Sequence, residues 1–143
     1  MLANLGSMNE QYRNHGRQWL DLGSFLAGGL GAPSLSVTGN CMPETHVNFV
    51  VNGVPNDSAA YLLIGTKISY DSFFGGILVV DPSEILRVFS AENTGSDNQV
   101  NFHAFVPKTG LVPEMRLVFQ AWIVDEDAPF GYSATNGLRV ITP

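Results

Sequence analysis

The chain has 143 residues, of which 45% are hydrophobic and only 14% charged, and its formal net charge is −6. That length suffices for one self-sufficient domain, and the charged fraction lies well below the roughly 25% of an average soluble chain. Lysine occurs only at Lys67 and Lys108, so the cation clusters that nucleic acid or an anionic membrane surface requires are missing, and both drop out as partners.

With so few charges, the surface must be built from Ser, Thr, Asn, Gln, Gly and backbone. Such surfaces suit secreted or particle-forming proteins, which implies an extracellular, cell-surface or virion location. Met1 to Gln18 has neither a basic n-region nor a continuous apolar stretch, so it does not read as an ordinary signal peptide. The apolar run Leu20–Leu35 is interrupted by Asp21, Pro33 and six glycine or serine residues and is not a membrane span.

Residues 1–18 differ from the rest. Leu2, Leu5, Met8, Tyr12 and Trp19 recur at spacings that fit one helical face, while Gly6 and Gly16 each cost about 1 kcal/mol inside a helix. The segment reads as an arm that orders only by packing on something, and it precedes a domain over 19–143.

From residue 33 onward the pattern changes to short strands separated by turns. Ser34-Leu35-Ser36-Val37-Thr38 alternates and stops at Gly39-Asn40. Val47, Phe49 and Val51 alternate up to Asn52-Gly53, and Ala59–Thr66 is apolar on both faces, as a strand between two layers is. Ile77–Val80 follows Gly75-Gly76 and ends at Asp81-Pro82. Ile85–Ser90 and Val100–Val106 flank the turn cluster Asn93–Asn98. Met115–Val124 carries the longest alternation, and a last strand or hairpin runs from Tyr132 through Asn136-Gly137 to Ile141. About eight strands at short spacing predict an all-β, two-sheet antiparallel sandwich with an N-terminal arm. Cys41, the single cysteine, has no partner for an internal disulfide and reads as a small half-buried side chain.

Three stretches carry a resemblance. They are Trp19-Leu20-Asp21-Leu22-Gly23 with Leu26-Ala27-Gly28 and Gly31-Ala32-Pro33; Val54-Pro55-Asn56-Asp57-Ser58-Ala59-Ala60 with Leu63-Ile64-Gly65; and Gln120-Ala121-Trp122-Ile123-Val124-Asp125 with Ser133-Ala134-Thr135-Asn136-Gly137-Leu138. Together, over roughly residues 19–143, they resemble the C-terminal β-sandwich module of large secreted planctomycete-type bacterial proteins. The resemblance implies an accessory or surface role and brings no catalytic residues.

Candidate chemistry is sparse. Asp125-Glu126-Asp127 follows the longest strand, and Asp125 and Asp127, with Asp81, Asp97 or Asp57 from other loops, are candidate calcium ligands. The spacing of a calcium-binding loop is missing, so a solvated turn is the competing reading. His15, His46 and His103 lie far apart and form no zinc pair. No Gly-x-Ser-x-Gly elbow is present, and Asn56-Asp57-Ser58 reads as a turn.

Trp122, Phe119 and Phe102 fall on inward strand positions. Tyr70, Phe73 and Phe74 fall in a segment, Ile68–Gly76, that reads as a loop, and Phe130 and Tyr132 fall beside Asp127-Ala128-Pro129. These five form the candidate binding surface, or else they close the open end of the sandwich.

The expectation is a non-enzymatic structural or interaction sandwich without a cofactor, calcium apart. It would associate with protein subunits, as a homo-oligomer or on a host assembly, with carbohydrate binding or adhesion as the alternative.

Overall fold

The computed structural model describes residues 19–39, 41–108 and 113–142, so the arm residues Leu2, Leu5, Met8 and Tyr12 lie outside the described residues. Among the described residues the alternating segments form eleven strands: Leu20–Gly23 (β1), Ser34–Thr38 (β2), His46–Asn52 (β3), Ala59–Gly65 (β4), Ile68–Phe73 (β5), Gly76–Val80 (β6), Ile85–Glu92 (β7), Gln99–Phe105 (β8), Arg116–Val124 (β9), Tyr132–Ala134 (β10) and Gly137–Ile141 (β11).

The pairings are antiparallel throughout. One sheet has the order β1-β11-β9-β4-β7, with β10 also on β9; a second has the order β2-β3-β8; and β5 pairs with β6 as a hairpin. The fold is an all-β sandwich.

The alternation in β9 explains the layering. Leu117, Phe119, Ala121 and Ile123 enter the main core with Phe49, Val51, Leu35, Phe102 and Trp19, between the large and the three-stranded sheet. The intervening Val118 and Trp122 lie in two further apolar clusters, with Leu78, Val79 and Val80 of β6. The large sheet is therefore covered on both faces, by a sheet on one side and by the β5–β6 hairpin on the other.

Three segments depart from expectation. Leu20–Gly23, ahead of the first expected strand, pairs with β11. Ile68–Phe73 is a strand, not a loop; Ser69, Tyr70, Asp71 and Ser72 hide it because most of this strand faces solvent. Asn136-Gly137 does not turn a hairpin. β10 and β11 both run along β9, with Ala134 opposite Trp122 and Leu138 opposite Phe119, so Thr135-Asn136 is a bulge within one edge.

The bulge has its own bonds. Thr135 N–H donates to the Ala121 carbonyl (2.9 Å) and Thr135 Oγ1 accepts from Ala121 N–H (3.0 Å). The freed Asn136 amide crosses to the other sheet, where Oδ1 accepts from Leu35 N–H (2.8 Å) and Nδ2 donates to the Leu35 carbonyl (3.3 Å). A side-chain amide thus pairs with β2 as a neighbouring strand would.

Close approach explains several glycines. A Cβ on Gly65 would lie 2.5 Å from Val80 Cγ1 and 2.8 Å from the Glu84 carbonyl oxygen. Gly65→Ala should therefore destabilise the protein by roughly 1–3 kcal/mol in urea denaturation, the cost of overpacking. Gly95→Ala is the control, because its new methyl would meet nothing nearer than Asp97 Oδ1 at 3.5 Å, and it should be close to neutral.

Candidate functional site

The outer hairpin is fixed by one amide. Gln120 on β9 is fully buried, and its Oε1 accepts from Val79 N–H and from Trp122 Nε1–H, both at 3.0 Å. Its Nε2 donates to the Ile77 carbonyl (3.1 Å) and the Thr135 carbonyl (3.0 Å). Two acceptor and two donor positions are thus all used, and they tie β6, the bulge and the Trp122 ring to a single residue.

Trp122 is the floor of an aromatic surface. Phe73 stands edge-on to it, with ring centroids 5.0 Å apart; Phe73 meets Phe74 at 4.6 Å, and Phe74 meets Tyr132 at 4.6 Å. Phe130 leans its ring edge on the backbone of Gly75, where a Cβ would collide with it. Four of the five candidate aromatics therefore converge on the tip of the β5–β6 hairpin. Tyr70 is exposed further along β5 and makes no ring contact with this group among the described residues.

The turn that carries Phe74 is strained. Phe73 pairs with Gly76, so Phe74 and Gly75 are a two-residue turn, and both have positive φ, +43° and +81°. Such a turn favours Asn or Asp followed by Gly. A phenylalanine there costs about 1–2 kcal/mol in left-handed backbone, yet its ring remains 48% exposed. The fold holds an aromatic ring outward at a position where a small polar residue would be less strained.

The acidic loop beside this surface is a clamp. Asp125 is buried; Oδ2 accepts from Gly29 N–H (3.0 Å) and Oδ1 from Asp127 N–H (3.0 Å). Gly28 and Gly29 pass so close to Asp125 and Asp127 that no Cβ would fit. The carboxylate thereby ties the 24–33 loop to the 125–131 loop.

Asp127 is exposed, and Asp57 and Asp97 sit in separate turns. Asp81 caps the 3₁₀ turn Pro82–Glu84, and the hydrogen bonds from the Ser83 N–H and hydroxyl hold its carboxyl below the ordinary range. Among the described residues no three His, Cys, Asp or Glu side chains gather as a metal site would need.

The chain matches no known protein family, no curated protein and no solved structure.

A second feature lies at the opposite end of the sandwich. A cleft of about 640 Å³ opens between β7 and β8; Phe49, Leu117, Phe119, Leu86 and Phe89 are among the residues that line it, and Phe105 lies at its rim. The alternation of these strands predicts that each has an inner face, but not that the sheets leave a gap beside it. Cys41 lines this cleft and is itself buried, which pushes its thiol up to about 11. His46 lies tilted against Phe105 across the outer face, centroids 5.1 Å apart and ring planes at 59°, and His103 is also among the residues lining the cleft.

Two outcomes follow. Gln120→Leu removes all four bonds; at about 1 kcal/mol for each of the partner groups left unpaired, the low end of the usual cost, the loss should be on the order of 4 kcal/mol or more in denaturant melts. For Cys41, alkylation of native protein at pH 8 should run roughly 100-fold slower than in the unfolded chain, because only the thiolate reacts.

Proposed function

We propose that the protein is a non-enzymatic interaction module that associates with copies of itself through the aromatic surface at the β5–β6 tip. Its setting would be a coat, decoration or filament-type component of an extracellular or virion surface. The observation that carries this reading is the convergence of Phe73, Phe74 and Phe130 on one exposed surface, 38%, 48% and 61% accessible.

At about 200 Å² per ring these three leave roughly 300 Å² of apolar area in water, the range in which patches on monomers mark interaction sites. The surface extends beyond the rings. Tyr61 pairs with Trp122 across β4 and β9, and exposed Val88 follows on the edge strand β7 opposite Leu63. Rigid aromatic anchors on a pinned hairpin lose little entropy on association, which favours a defined contact. The low charge of the surface and the resemblance to a secreted sandwich module support the same setting.

Phe74→Asn separates function from folding, since Asn suits left-handed backbone and removes the ring. In sedimentation equilibrium the full chain should show a concentration-dependent mass above that of a monomer. Phe74→Asn with Phe130→Ser should remain a monomer at the same concentrations with an unchanged far-UV spectrum. Monomers in both cases, or equal association of the double variant, would overturn the reading. Binding of the intact chain to a polysaccharide column, lost in the same double variant, would reassign the surface to carbohydrate.

A further inference from the structure

β7 and β8 follow one another in the chain but belong to different sheets. The turn cluster Asn93–Asn98 joins them and holds them together at one end. The residues that line the cleft come from the other end, Arg87 and Phe89 on β7, Ala104 on β8, and Val106 and Pro107 beyond it. Ala91 and Val100, beside the turn, are not among them. The cleft is therefore a wedge between two diverging layers.

Unequal width enlarges it. Strands in a sheet lie about 4.8 Å apart, so a five-strand path spans roughly 19 Å and a three-strand path roughly 10 Å. Asn136 bonds the large sheet to β2 through Leu35, on the side away from β7, and the unmatched width falls at β7. Ile64, Phe89 and Ala104 pack against the main core there, yet each stays only partly buried.

The wedge has one charged group. Arg87 lies opposite Ile64 in the β4–β7 pairing and so shares its inward face, and no Asp, Glu, Lys or second Arg lines the cleft. The Arg87 guanidinium carbon lies over the Phe89 ring, 5.7 Å from its centroid, and Arg87 has no carboxylate partner among the described residues. A guanidinium stacked on a ring engages only its face. Its N–H donors lie in the plane and stay free for a bidentate bond to an anion.

From this arrangement we propose that the cleft binds a single-chain fatty carboxylate, with the alkyl tail between the sheets and the carboxylate on Arg87. A volume of about 640 Å³ lies within the roughly 300–1,000 Å³ of small-molecule sites, which are mostly apolar with a few placed polar groups. Deeper in the wedge the lining is Val47, Phe49, Leu117 and Phe119, with the Cys41 thiol as a weak hydrogen-bonding group. That suits an alkyl chain and offers little to a polar ligand. The head group follows from charge. One guanidinium balances one carboxylate, whereas a phosphate monoester carries nearly two negative charges and would meet no second Lys or Arg in the lining.

Calorimetric titration of the full chain with dodecanoate, below its micellar concentration, tests this. One site per chain is expected, with a dissociation constant below about 100 μM, and each methylene removed from the tail should weaken binding roughly two- to fourfold. Arg87→Gln should weaken dodecanoate at least about tenfold while leaving the affinity for dodecanol, which lacks the charge, within about twofold. Failure of the full chain to bind dodecanoate overturns the proposal, and so does equal binding by Arg87→Gln. Dodecyl phosphate bound as tightly as dodecanoate overturns the carboxylate assignment.

The variant with Phe74→Asn and Phe130→Ser should bind dodecanoate as the native chain does. Loss of binding there would move the ligand to the aromatic surface and overturn the assignment to the cleft. Self-association is read separately, by sedimentation, so the failure of one proposal leaves the other standing.

Discussion

The buried Gln120 amide is the interaction on which the outer layer depends. A strand with apolar residues on both faces needs cover on both, and for β9 the second cover is a hairpin of only two strands. Such a hairpin is marginal by itself in water. Apolar contact through Leu78, Val79 and Val80 holds it without direction, whereas two of the four Gln120 bonds, from Val79 N–H and to the Ile77 carbonyl, fix its height and register. A buried amide so completely satisfied specifies one arrangement, while a partly satisfied one would be worse than an apolar side chain.

The polar stitches elsewhere work in the same way. Asn136 joins the two sheets through Leu35, Thr135 replaces missing ladder bonds at the bulge, and Asp125 binds two loops together. Each crosses a boundary that hydrophobic packing alone would leave free to slide. The aromatic surface is stationed on the most heavily stitched part of the molecule, and the apolar cleft lies at the other end, where the two sheets part.

Much of this was legible in the sequence, with gaps of a consistent kind. Strands with a clean apolar alternation, such as His46–Asn52 and Arg116–Val124, are visible because one face must be buried. Ile68–Phe73 is hidden because a strand in a covering hairpin buries little, and its turn carries Phe-Gly where Asn-Gly would have announced it. The aromatic surface was accessible by residue type, since rings in turn-like segments stand out, and four of five converge. Tyr61, Val88 and Leu86 were not, because which part of a sheet face stays uncovered depends on the width of the opposite layer. Gln120 marks itself only as the polar member of an alternation; its partners at Ile77, Val79 and Thr135 come from strands that sequence separation does not relate. Asp125 reads as a loop acid, and its use as a clamp depends on Gly28 and Gly29 arriving from the other end of the chain.

The aromatic surface has a fixed support only if the hairpin is an integral layer and not a flap. Native-state hydrogen exchange of Val79, whose N–H is bonded to Gln120 Oε1, measures this directly. If the amide pins the layer, Val79 exchanges only through global unfolding, with the same free energy as Val118 and Ile123 in β9. Exchange of Val79 orders of magnitude faster, with β9 still protected, would mean that the hairpin opens by itself and that the aromatic surface it carries has no fixed support.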